Sequence, residues 1–345
     1  IRTSVMEAFE ASGPNNFMVT RFDFTAVRIS DVGNGRPPWW NKPEIEPEEA
    51  RALMNLPTVD EALYTFNFST DMSFESHQVR GVQSTGYSSG WPKYTLGDFI
   101  AGRDFTPAEV DQNRSVVVLS AELATELFGQ RDPIGKRVRM LNRWRGTQEP
   151  FSVVGVFETE PNVFSTVVEH WAIFPWTAAN RRLRQSTSQA QILIVPIDSV
   201  SMERAQDEVI ATIRGMRGLG PRDENNFAVL GSAQILDLFN QLTAVFFLVM
   251  FALSSAGLLV GGVGVIGIML ISVTERTREI GVRKAVGATR REILWQFLVE
   301  ASALTAMGAA VGMLMGWILA TGIATWTPLP AKIPVWAVGT ALGMA

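Results

Sequence analysis

The stretch VTERTREIGVRKAVGATRREI, residues 273–293, is crowded with charge and decides how the rest of the chain is read. Between residues 238 and 345 there are eleven charged side chains, and nine of them fall within residues 275–292. On one side lies an uncharged run over residues 238–274, 37 residues long, and on the other a run over residues 301–331, 31 residues long. At about 1.5 Å per residue each would exceed the roughly 30 Å of bilayer hydrocarbon as a helix. Both are therefore expected to span a membrane. The first is longer than a bilayer needs, so its polar start, Asn240, Gln241 and Thr243, is expected to stand outside as a stalk.

Orientation follows from the charges. The turn holds Arg276, Arg278, Arg283, Lys284, Arg290 and Arg291 against Glu275, Glu279 and Glu292. Short loops rich in Lys and Arg stay in the cytoplasm, which places residues 1–237 on the other side. Those residues carry 23 bases and 30 acids, a net of −7.

The turn itself reads as an ordered helical hairpin. The first helix is expected to run past Thr274, with Glu279 and Arg283 as an i,i+4 pair. Gly287 is a natural helix stop, and Thr289 with Glu292 forms a capping box for the next helix. Small residues recur in both spans: Gly257 and Gly261 in the first, Gly308, Gly312 and Gly316 in the second. Such spacing lets backbones approach closely. The alternative is that glycine is common in membrane helices at large.

The whole chain fits a mixed membrane protein. Charged residues are 19% and hydrophobic residues 47% of 345, against about 25% charged in soluble domains. A net charge of −4 argues against a general nucleic-acid binder. There is no cysteine, and His77 and His170 are the only imidazoles, too few donors to suggest a metal site. No nucleophile–base or paired-carboxylate spacing appears, so no catalytic residue and no cofactor are assigned. The chain opens on Ile1 and closes on thirteen uncharged residues, 333–345; it is expected to be an interior section of a longer polypeptide.

The outer part reads as α+β. Residues 1–12 suit a helix leaving a preceding span, and NNFMVTRF (15–22) a strand. RPPWWNKP (36–43) is a loop in which Trp39 and Trp40 are expected to cover a local core. A helix starts at Pro47, with Pro and Glu in its first turn, and EALYTFNF (61–68) alternates as a strand. Residues 192–197 form a strand, Met202, Ala205, Val209, Ile213 and Met216 mark one helical face, and residues 226–230 form another strand. Two separated β/α halves predict a split ferredoxin-like unit. Between them, about residues 75–165, lies a β-rich insert with strands near 116–119, 136–140 and 151–156 and a helix capped by Ser120. Within it GQRDPIGKR (129–137) has the flavour of a phosphate-binding loop. Five residues rather than four separate Gly129 from Gly135, and Arg137 stands where a Mg²⁺-binding hydroxyl is needed, so nucleotide binding is rejected.

Two blocks carry a family resemblance. GRDFTPAEVDQNRSVVVLSAELATELFGQRDPIGKRVRM (102–140) with FSVVGVFE (151–158) resembles the periplasmic core domain of MacB-type permeases. VGGVGVIGIMLISVTERTREIGVRKAVGATRREILWQFLVEA (260–301) resembles the FtsX/MacB transmembrane signature. Residues 30–100 match weakly. The resemblance implies an α+β membrane protein with four transmembrane helices and a large extracytoplasmic domain between the first two. On this chain it implies an outer domain over 1–237, a stalk and span over 238–274, a coupling turn over 275–292, a span over 293–331 and the start of a last span over 333–345. It further implies the permease of a mechanotransmission ABC transporter in the bacterial inner membrane, non-enzymatic itself. Its expected partners are a cytoplasmic ABC ATPase, a second permease copy, membrane lipid, and a periplasmic adaptor or envelope protein. Carried over by motif, Glu275, Arg278, Glu279, Arg283, Lys284, Arg290 and Arg291 would meet the ATPase. Other readings of the same architecture are an FtsX-like regulator of envelope hydrolases, a lipoprotein-extraction permease and an orphan structural subunit.

Overall fold

The computed structural model describes residues 16–25, 39–142, 147–160 and 170–326. The readings made for residues 1–12 and 333–345 lie outside them. The chain divides into two units, Ile1–Phe239 and Asn240–Ala345.

In chain order the first unit begins with β1 (Phe17–Thr20), α1 (Pro47–Leu53), β2 (Val59–Phe74), β3 (His77–Tyr87), β4 (Gly97–Gly102), α2 (Pro107–Asp111), β5 (Val116–Ser120) and α3 (Ala121–Phe128). It continues through β6 (Arg137–Asn142), β7 (Thr147–Thr159), β8 (Trp171–Pro175), α4 (Trp176–Arg181), β9 (Gln191–Pro196), α5 (Met202–Met216) and β10 (Ala228–Gly231). All ten strands belong to one sheet, ordered β10-β1-β9-β2-β3-β8-β5-β7-β4, with β6 bonded to both β2 and β7.

The split ferredoxin-like unit is present. β1 runs antiparallel to both neighbours, β10 and β9, and β9 runs antiparallel to β2. Hence β1 is parallel to β2 and β9 to β10, each pair joined through a helix and each holding a strand of the other between its members. The long gap in sequence between the two halves is the insert.

That insert is no separate layer. β2 is 16 residues long; its first half pairs with β9 and its second half with β6, while β3 lies along its other edge. The sheet therefore runs without a break from one part into the other. Between Thr70 and Met72 the β2–β3 register shifts, and there Asp71 Oδ1 accepts the Gly81 N–H at 2.9 Å. The polar run Ser69–Thr70–Asp71 ends the visible alternation of β2, which is why its second half is not apparent in the sequence.

Burial follows the periodicities. On α5, Ala205, Val209 and Ile213 are fully buried, whereas Met216 is 46% exposed; the apolar stripe is used only in its central turns. Ser120 caps α3 as expected, accepting the Leu123 N–H at 3.2 Å. A second, smaller core surrounds Trp91, with Phe105, Val110, Val118 and Phe157. The Trp91 indole N–H finds Asp104 Oδ1 at 2.9 Å, so the buried ring leaves no polar atom unpaired. The two tryptophans of the proline-rich loop part company: Trp39 is half-buried and packs on Phe22 at 5.2 Å, but Trp40 is 65% exposed. The expectation that both cover a core holds for Trp39 alone.

The long helices are α6 (Ser232–Glu275, 44 residues) and α8 (Arg290–Trp326, 37 residues), with the short α7 (Thr277–Ala285) between them. At 1.5 Å per residue they measure about 66 Å and about 56 Å. The most apolar window of each has no buried residue. Phe247, Phe251, Leu258 and Val260 on α6 are all more than 70% exposed. A contiguous apolar surface of that extent requires lipid or another helix to cover it.

Candidate coupling surface at the charged hairpin

The charged stretch folds into three helical pieces rather than two. α6 stops at Glu275 and a new nine-residue helix, α7, starts at Thr277 with Arg276 as its N-cap. The single helix expected to continue past Thr274 is thus broken. At the break the Thr277 hydroxyl donates to the carbonyls of Val273 at 3.0 Å and Thr274 at 2.8 Å. Thr274 does the same to Ile271 at 2.7 Å.

The second corner is built as the sequence foretells. Gly287 takes φ +107°. Its N–H reaches the Lys284 carbonyl at 3.2 Å, and Ala288 N–H reaches the Arg283 carbonyl at 3.0 Å. These two bonds are a Schellman closure. The capping box then opens α8: Thr289 N–H donates to Glu292 Oε2 at 2.8 Å and Glu292 N–H to Thr289 Oγ1 at 3.4 Å.

The seven residues singled out here fall at the foot of α6 (Glu275), along α7 (Arg278, Glu279, Arg283 and Lys284) and on the first turn of α8 (Arg290 and Arg291). All are exposed, and no residue of α7 is buried. The expected Glu279–Arg283 ion pair is not formed among the described residues. Arg283 instead donates from Nη1 to Gln296 Oε1 of α8 at 2.5 Å. Arg276 pairs with Glu300 of α8 at 3.7 Å. Arg278, Glu279, Val282 and Arg283 line a shallow concavity on α7. Beside them Val282 is 59% and Val286 85% exposed. The surface is therefore basic with two apolar projections, which the charge count alone does not disclose.

The five glycines expected to pack lie on α6 and α8. A Cβ added at Gly257, Gly261, Gly308, Gly312 or Gly316 would meet nothing within 4 Å, so both rows present bare backbone. The rejected phosphate-loop candidate has the wrong order of elements. It runs from helix α3 through a turn, where Ile134 N–H bonds Asp132 Oδ1 at 2.9 Å, into strand β6. A phosphate-cradling loop opens a helix instead.

A second feature lies within the first unit. A groove of about 950 Å³ is walled by α1 and the start of β2 on one side and by residues 103–111 on the other. Arg51, Lys93, Arg103 and Asp104 contribute to its lining, with Tyr64 and Trp176 in ring contact at 5.0 Å. Lys93 is tied to Glu61 at 3.4 Å and Arg103 to Glu109 at 2.9 Å. The Arg103 hydrogen bond holds the Glu109 carboxyl down at about 2. Burial pushes Asp104 the other way, above the usual carboxylate range.

Comparison with known proteins agrees with this division. Residues 1–212 match the family model described as the MacB-like periplasmic core domain, and residues 240–345 that of the FtsX-like permease C-terminal. An uncharacterized ABC transporter permease, YknZ, from Bacillus subtilis is 31% identical over 71% of this chain and 59% of its own. A macrolide export ATP-binding/permease protein, MacB, from Nitrobacter winogradskyi is 33% identical over 93% of this chain and 44% of its own. The chain thus spans about half the length of these relatives. The crystal structure of the periplasmic region of MacB from Actinobacillus actinomycetemcomitans superposes with a TM-score of 0.54 at 16% identity, covering 68% of this chain and 97% of that one. At that identity the likeness concerns the fold.

Proposed function

The chain belongs to the ABC transporter permeases that pair a MacB-like periplasmic core domain with an FtsX-like permease domain, and from that premise we propose that it works by mechanotransmission. In this reading an ABC ATPase in the cytoplasm docks on the hairpin. ATP-driven motion enters through α7 and is carried along α6 to the outer unit. The permease itself has no part in the hydrolysis. Residues 1–237 lie outside the cytoplasmic membrane of a bacterium, and two permease copies work together.

The observation that carries this reading is α7. It is a short helix with no buried residue, studded with bases and set between two long apolar helices. Exposed charge beside Val282 and Val286 suits a surface that is wet before docking and partly dehydrated after it. An orphan structural subunit would have no use for such a surface.

The test uses the intact transporter with a photo-cross-linking side chain at Val282, 59% exposed. An adduct with the ATP-binding subunit or domain is expected, and the double charge reversal Arg278→Glu/Lys284→Glu should reduce it at least about tenfold. The outer unit should keep its resistance to proteolysis. An adduct undiminished by the reversal refutes docking on this surface.

A further inference from the structure

Arg283 and Lys284 are neighbours in sequence, yet the structure gives them different surroundings. Lys284 makes no side-chain hydrogen bond or ion pair among the described residues, while Arg283 is bonded across the hairpin to Gln296. Arg276, Ile280 and Arg283 stand at i, i+4 and i+7, one stripe along α7. Ile280 is the only half-buried residue of that helix. Both arginines of the stripe meet α8, at Glu300 and at Gln296, which are themselves i+4 apart and so share a face. On α8 the half-buried residues Ile293, Phe297 and Glu300 follow the same spacing.

A nine-residue helix with no buried side chain has little to hold its direction, because isolated helices that short are marginal in water. Backbone corners close both ends of α7 but leave its tilt free. We propose that Arg283, with Gln296, and Arg276, with Glu300, form a two-point clasp that fixes α7 against α8. Arg283 is then a positioning residue for the docking surface, not part of the surface that meets the ATPase. The face turned outward carries Arg278 and Val282, one turn apart. This assignment rests on the docking reading above. It divides the arginines of one short motif into internal and external ones, which charge and spacing along the chain do not do.

The 345 residues include no cysteine, so once any cysteine elsewhere in the transporter is replaced, a covalent substitute for the clasp can be introduced. In the intact transporter carrying the Val282 photo-cross-linker, Arg283→Cys/Gln296→Cys is bridged with a bis-methanethiosulfonate whose alkyl spacer matches the combined reach of the Arg283 and Gln296 side chains, longer than a direct disulfide allows. Each thiol displaces one methanesulfinate from the reagent and forms one mixed disulfide. The bridge is expected to form within the chain and to keep the ATPase adduct near its original yield. Reduction with dithiothreitol is expected to lower that yield about fivefold, the size of one ordinary hydrogen bond. Without cysteines, Arg283→Leu and Gln296→Leu should each give a similar loss, and the double variant no more than either.

Failure of the bridge to form overturns the clasp. So does an adduct lost in both redox states, which would make the Arg283 guanidinium itself a contact, and so does an adduct kept in both. If the parent protein gives no ATPase adduct, the docking reading fails instead, and bridge formation alone then decides the clasp.

Discussion

At the scale of single residues, the outer unit holds a buried ion pair. Arg217, at the end of α5, is 8% exposed and Glu49, in α1, 5%. Nε reaches Glu49 Oε1 at 2.6 Å and Nη2 reaches Oε2 at 3.0 Å, a two-pronged contact. The remaining donors go to Asn226 Oδ1 at 2.9 Å and the Glu44 carbonyl at 3.1 Å. Glu49 also closes the capping box of α1 through the Glu46 N–H at 2.9 Å. Removing one partner strands a buried charge, so Arg217→Met is expected to cost about 3–5 kcal/mol, read by denaturant unfolding. Arg217→Met/Glu49→Leu should recover part of that loss but not the cap. Glu109 offers a pH test. Its carboxyl titrates near 2 when folded, below the ordinary 4.5. Its contribution is therefore complete above about pH 4.5 and lost as the pH falls through about 2. Asp104 has the opposite slope, since its raised value lets the folded state take up a proton first. Glu109→Gln should lower stability at neutral pH and flatten the fall in melting temperature between about pH 4.5 and pH 2. An unchanged acid slope would rule out this linkage.

At the scale of elements, the turns and caps were legible and the sheet's continuity was not. Pro47, Ser120, Gly287 and the Thr289–Glu292 box each act through bonds to residues one turn away, so local spacing is enough to find them. Joining the ferredoxin-like half to the insert depends on β2 carrying on past Ser69 and on β3 pairing in parallel with β8. Neither leaves a local pattern. The break at Arg276 also leaves no local pattern: Thr274 and Thr277 are compatible with a straight helix, as Thr305 and Thr321 are in α8. One close approach tests the far end of the sheet. Gly102 has φ +77°, and an added Cβ would lie 2.2 Å from the Val154 carbonyl oxygen. Backbone lies on that side, so it cannot step aside as a flexible side chain could. Gly102→Ala is expected to destabilise the outer unit by more than the about 1 kcal/mol of conformational strain alone, measured by thermal unfolding. Gly129, also at positive φ but with nothing within 4 Å, should show only the strain.

At the scale of the whole molecule, sidedness is what gives the hairpin its meaning, and it rests on charge asymmetry. Six bases in a short turn should hold it in the cytoplasm, opposite an outer part with net charge −7. The turn could carry the same charges on the other face only by translocating those bases, which the rule disfavours. The cysteine-free chain makes this measurable with two exposed positions, Glu122 on α3 and Ala285 on α7. In spheroplasts, Glu122→Cys should react with a membrane-impermeant maleimide and Ala285→Cys should not, until the membrane is permeabilised. Labelling of Ala285→Cys from outside would leave the ATPase without access to α7, and the motion attributed to α6 would lose its source. The clasp between α7 and α8 would survive that outcome, because it requires only that the two helices meet, on whichever side of the membrane they lie.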